Sequence, residues 1–172
     1  TVQWQNEIDL NWYSTDITGV TGTTVTPLQS GTYTKSEYKT DLRKSDENER
    51  TNFFQFDVMN ANDKSVLSNN YTQINNFQIG RSAEDYYATF GNVSPNFSTL
   101  STSQAVRGVL GQKLFNDLLF TAYGGIVTDS WETATNQTLR RQAIRDVYGA
   151  KLEKNLADNL KIYFTSQTAR EE

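Results

Sequence analysis

Between Ala105 and Thr128, AVRGVLGQKLFNDLLFTAYGGIVT, the chain alternates in a way that only extended backbone can use. Val106, Gly108, Leu110 and Leu114 fall in one register, and Arg107, Gly111 and Lys113 in the other. Beyond Asn116-Asp117, Leu118, Phe120, Ala122 and Ile126 line up, with Thr121, Tyr123 and Gly125 opposite. Successive strand side chains point to opposite faces, so the period of two predicts a hairpin with one apolar face. Asn and Asp accept the left-handed backbone that a tight hairpin turn requires. The pattern predicts an architecture and names no reaction.

The same alternation recurs along the chain. In Val2–Tyr13, Val2, Trp4, Ile8, Leu10 and Trp12 share one face, and Gln3, Gln5, Glu7, Asp9 and Asn11 the other; Asn6 is the exception. A helix would scatter these residues around its circumference, so a strand is expected. Trp4 and Trp12 lie roughly 26 Å apart along a strand at ~3.3 Å per residue. Tilted, that spacing matches the height of a lipid-facing band with aromatic edges, and it equally suits two indoles packed in a soluble core. Weaker patterns place strands over Gly31–Lys44, Thr51–Met59 with Phe54, Phe56 and Val58, Ser65–Gly80, and Asp85–Gly91 with Tyr86, Ala88 and Phe90. A helix competes over Gln142–Leu156, but Val147, Tyr148 and Gly149 favour a strand, and Leu160–Gln167 forms the last one. Val109–Leu114 and Val147–Leu152 share the frame V-x-G-x-K-L, which suggests a repeated structural task.

Composition removes several function classes. The chain has 172 residues, enough for one ordinary domain or a piece of a larger one, and no cysteine or histidine. Disulfides, thiolate chemistry, the usual general base and the commonest metal ligand are therefore excluded. A net charge of −4 argues against a nucleic-acid surface. Aromatic residues make up 12% of the chain, against a hydrophobic content of 36%, so strand formers dominate a small apolar share. No apolar run approaches the ~20 residues of a membrane-spanning helix, which leaves a strand-based span open. No signal peptide opens the chain, as expected of a processed precursor or an internal piece.

Nine antiparallel strands put the connections 14–30, 60–64, 92–104 and 129–139 at one end. At the other end fall 45–49, 81–84, 116–117 and 155–158. The first set is mostly long and the second uniformly short, as in outer-membrane barrels. With its V-x-G-x-K-L hairpins and the stretch FGNVSPNFSTLSTSQAVRGVLGQ, the chain resembles bacterial outer-membrane β-barrel proteins over most of its length. The resemblance implies an all-β, antiparallel up-and-down meander, a barrel or part of a larger barrel, over residues 1–172. It further implies a Gram-negative outer membrane, contact with lipid, further chains of an assembly, and a porin-like channel, conduit or scaffold without cofactor or catalytic residue. Single-chain bacterial barrels have even strand numbers, so nine strands suggest part of something larger.

Within a barrel, Trp4, Leu10, Trp12, Phe56, Leu110, Phe120 and Ile162 would face lipid or its interface. Arg107, Lys113, Arg145 and Lys151 would form a basic stripe in the lumen that tunes ion selectivity. On a solvated sheet the same cations are surface charge balanced by Asp and Glu. The acids Asp46, Glu47, Glu49, Glu84 and Asp85 sit in expected turns, where carboxylates are usually solvated rather than catalytic. The alternative function is a soluble extracellular β-sandwich or fibre subunit that binds a glycan or a protein. A sandwich would bury the apolar residues that a barrel turns outwards.

Overall fold

The computed structural model describes residues 1–15, 31–62, 72–95, 106–127, 131–132, 145–157 and 160–171. These form nine strands: β1 (Val2–Thr15), β2 (Gly31–Ser45), β3 (Thr51–Ala61), β4 (Thr72–Ser82) and β5 (Tyr86–Val93). They continue as β6 (Val106–Phe115), β7 (Leu118–Val127), β8 (Arg145–Ala157) and β9 (Leu160–Glu171). The fold is an antiparallel meander in which each strand pairs with its neighbours in sequence. β1 and β9 do not pair with each other, so the sheet is not closed into a barrel.

The segregation of connections is sharper than the sequence pattern. Residues 46–50, 83–85, 116–117 and 158–159 join strands at one end, and 16–30, 62–71, 94–105 and 128–144 join them at the other. The expected turn over 60–64 differs: β3 runs on to Ala61, and residues 63–71 lie outside those described. At the short end, Asn116 takes a positive φ of 56°, the left-handed conformation expected of the β6–β7 turn.

Register then decides which side chains share a face, because directly opposed residues point the same way. One row crosses the whole sheet as Trp4, Leu42, Phe54, Ile79, Phe90, Val109, Gly124, Tyr148 and Thr168. This side is called the Trp4 face. The other side carries Glu7, Lys39 and Asp57 in one row, and is called the Glu7 face.

The β6–β7 hairpin does not have the single apolar face expected of it. A two-residue turn sets Phe115 against Leu118, so Leu110 opposes Tyr123 and Lys113 opposes Phe120. Even-numbered residues of β6 therefore share a face with odd-numbered residues of β7. Both faces of the hairpin are part apolar, and only the Glu7 face holds buried side chains, those of Val106, Thr121 and Tyr123. The repeated V-x-G-x-K-L frames are likewise not equivalent: Gly111 lies on the Trp4 face with open space above it, whereas Gly149 lies on the Glu7 face beneath the Tyr123 ring.

Glycines let the sheet close up on the Glu7 face. Gly91, Gly108 and Gly125 oppose one another across β5, β6 and β7. A side chain on Gly108 or Gly125 would collide with the backbone of the partner strand, and Gly91 has a φ of 130°. Only residues without Cβ permit this approach, and such rows are where sheets bend. Next to them Val93, Val106, Tyr123 and Val147 form a small buried cluster, with Leu110 and Val127 packed against it.

Candidate functional site

The distribution of polarity between the two faces is the feature that calls for a function. Among the described residues, the buried hydrophobic side chains are only Ala61, Val93, Val106, Tyr123 and Val147, all on the Glu7 face. Twenty large hydrophobic side chains are exposed. All except Tyr13, Leu114, Leu156 and Tyr163 belong to the Trp4 face. Trp4, Ile8, Leu10, Trp12 and Phe164 each keep more than two thirds of their surface open. A water-soluble sheet hides its apolar face and wets its polar one; here the arrangement is inverted.

The height of the apolar belt differs from strand to strand. On β7 it runs Leu118, Phe120, Ala122, Gly124 and Ile126, about 26 Å at ~3.3 Å per residue. On β9 it runs Leu160, Ile162 and Phe164 before Ser166, Thr168 and Arg170 end it. Charge enters the belt near the short-turn end, where Lys113, level with Phe120, pairs with Asp85, and Lys154, level with Leu118, pairs with Asp117. Within the belt, Ala88, Gly111 and Ala122 floor a shallow apolar depression of about 840 Å³ rimmed by Phe90, Val109 and Tyr148.

Aromatic rings fill the gaps that glycine leaves. Tyr123 covers Gly149 on the Glu7 face, and Tyr148 covers Gly124 on the Trp4 face, where a Cβ would meet Tyr148 Cδ1 at 3.0 Å. Phe53 covers Gly80 in the same manner. Each ring lies over the residue directly opposite on the adjacent strand, so these pairs fix register as well as area.

The Glu7 face holds ion pairs at its two ends and no charge between. On β1–β3, Lys35 and Lys39 lie 3.3 and 3.4 Å from Glu37, and Lys39 lies 3.6 Å from Glu7. Arg43 binds Asp41 through Nε at 2.9 Å, and Gln55 donates to the same carboxylate at 2.7 Å. A polar hollow of about 280 Å³ opens between Glu7, Lys39, Gln55, Asp57 and Asn76. On β8–β9, Glu153 takes Lys151 and Lys161, both at 2.6 Å. The strand residues of β4 to β7 place Gln73, Asn76, Gln78, Thr89, Gln112 and Thr121 on this face, without charge.

The seven residues expected to face lipid divide. Trp4, Leu10, Trp12, Phe56, Phe120 and Ile162 lie on the Trp4 face. Leu110 does not: opposite Tyr123, it packs on the Glu7 face against the buried cluster. The four cations do not form one stripe. Arg145 and Lys151 lie on the Glu7 face, while Arg107 and Lys113 share the Trp4 face with Ile126 and Phe120. Arg107 approaches the Trp131 ring, its guanidinium carbon 5.9 Å from the centroid, and Lys113 approaches Tyr86.

Trp131 is the residue whose place sequence reasoning missed. It follows β7, yet its ring packs edge-on to Phe77 at 5.7 Å and tilted against Phe90 at 6.1 Å. Its indole N–H donates to Asn92 Oδ1 at 2.5 Å. Beside it, Glu132 accepts the Ile74 N–H at 2.8 Å, where the β3–β4 register shifts. These contacts tie the β7–β8 connection to β4, β5 and β6 on the Trp4 face. Nothing local in the sequence around Trp131 points to β4.

Three turn aspartates titrate below the ordinary carboxylate range. Lys113 bonds Asp85, Lys154 bonds Asp117, and the N–H groups of Arg50 and Asn48 donate to Asp46. In each case a donor favours the ionised form. All three lie at the short-turn end. Comparison of the chain with protein-family models, with curated proteins and with solved structures finds no significant match in any of the three.

Proposed function

We propose that the chain is a non-catalytic wall segment of an outer-membrane β-barrel, acting as channel, conduit or membrane scaffold. One observation carries this reading: the exposed face is the apolar one, and the face with hydrogen-bonded charge is the more enclosed. In lipid that arrangement is the stable one, because strands present hydrocarbon outwards and polar side chains inwards. On β7 the belt of nine residues, Leu118 to Ile126, approaches the length a tilted strand needs to cross the bilayer core. The division into short turns at one end and long connections at the other accords with the short periplasmic and longer external loops of such barrels. In this setting Arg145, Lys151, Glu153 and the Glu7–Lys39–Glu37 group would line the aqueous side and tune ion passage.

The test is the medium in which the chain folds. Circular dichroism and size-exclusion chromatography should give a β-rich, monodisperse protein in detergent or liposomes and an aggregated one in plain buffer. A cooperative monomer in plain buffer overturns the proposal. One observation favours a second reading, a soluble extracellular β-sandwich or fibre subunit that binds a glycan or protein: Trp131 already covers Phe77 and Phe90 with protein. In that reading the rest of the Trp4 face is also covered by protein rather than by lipid, and the buffer result would follow.

A further inference from the structure

The two open edges of the sheet differ in what they lack. Among the described residues β1 and β9 each pair on one side only, so alternate residues of each present N–H and C=O groups that no described strand meets. On β9 the charges of the Glu7 face are met from β8: Lys161 by Glu153 and Glu171 by Arg145. On β1 they are not. Asp9 stands directly opposite Glu37, and like charges so placed repel. Both neighbouring cations are engaged by Glu37, with Lys39 shared by Glu7. Among the described residues no Lys or Arg forms an ion pair with Asp9. Glu7, Asp9 and their neighbours Gln3, Gln5 and Asn11 include no cation.

The other face of β1 is also incomplete. Leu10 opposes Ser36 and Trp12 opposes Thr34, so β2 offers little apolar surface to the two most exposed large hydrophobic side chains among the described residues. We propose that the free edge of β1 receives a further β-strand from outside this sheet, antiparallel like every pair within it. That strand carries Lys or Arg facing Glu7 and Asp9, and apolar side chains beside Trp4, Ile8, Leu10 and Trp12. A second β1 is a poor fit, since it would bring acids against acids. The inference rests on the wall-segment reading, which leaves neither edge of the sheet open, and adds the chemistry of the strand that β1 receives; the folding-medium test can fail without the peptide test, and the peptide test without it.

The experiment uses the intact chain in the medium that keeps it monodisperse, with two labelled synthetic strand peptides. Both alternate Val, Ile and Phe with charge; one carries Lys at the charged positions and the other Glu. Fluorescence anisotropy should show the Lys peptide binding about three- to tenfold more tightly, the size expected of two cross-strand charge pairs. The preference should vanish in Glu7→Gln/Asp9→Asn and persist in Glu171→Gln at the other edge. Because the chain has no cysteine, Gln5→Cys and Gln167→Cys report which edge cross-links to a cysteine-bearing peptide. Gln5→Cys should react. Equal affinity for the two peptides, a preference that survives Glu7→Gln/Asp9→Asn, or cross-linking only at Gln167→Cys overturns the proposal. So does a chain dimer joined through Gln5→Cys that excludes the peptide, which would make a second copy the occupant.

Discussion

Gly111 and Gly149 occupy the same place in a repeated frame and respond oppositely to a methyl group. Above Gly111 there is open space, so Gly111→Ala should be neutral or slightly stabilising, by up to ~1 kcal/mol from the less flexible unfolded chain. Gly149→Ala drives a Cβ into the buried Tyr123 ring and should cost about 1–3 kcal/mol. Denaturant titration of the pair checks this; equal midpoints would contradict the ring-over-glycine geometry. The turn aspartates set an acid limit. Asp46, Asp85 and Asp117 have carboxyls held below their ordinary values, so their contribution is present above the unfolded value and lost as pH falls through the folded one. Thermal midpoints should therefore fall below about pH 4. Asp85→Asn/Asp117→Asn should flatten part of that fall, and an unchanged acid limb would exclude these pairs as its source.

At the scale of strands and turns, a residue count in one turn decides which face a side chain sees. Inserting a glycine within β7, between Leu119 and Phe120, would set the side chains beyond it on the other face relative to β6. Tyr123 would then leave Val93, Val106 and Val147, and the cooperative transition should weaken or disappear in thermal melts. An unaltered midpoint would contradict the Leu110–Tyr123 register. The same point explains what sequence could and could not give. Alternation in Val2–Tyr13 and in Leu118–Val127 is local and marks strands directly, and the spacing of turn residues separates short from long connections. The relative face of two strands depends on pairing, which is not local, so Leu110 was expected beside Phe120 and Arg107 beside Arg145. Trp131 lies far in sequence from Phe77, and its contacts were legible only in three dimensions. Trp131→Ala should destabilise by about 1–3 kcal/mol, since it removes both ring contacts and leaves Asn92 without its donor.

For the whole molecule, we propose that the Trp4 face looks outwards into an apolar medium and the Glu7 face does not. The energetic reason is scale: so many large hydrophobic side chains on one face exceed the few hundred Å² that a soluble monomer usually exposes. That orientation predicts a pattern along any belt strand, and β7 is the simplest to read. Single cysteines replace residues 118 to 127 one at a time in the otherwise cysteine-free chain, reconstituted in liposomes and labelled with an environment-sensitive dye. Quenching by lipid-borne nitroxide should rise at 118, 120, 122, 124 and 126 and fall at the residues between. Alternation in that phase, with water-soluble quencher following the opposite one, is the result expected. Quenching by lipid that is absent at every position, or that peaks at 119, 121 and 123, would contradict it.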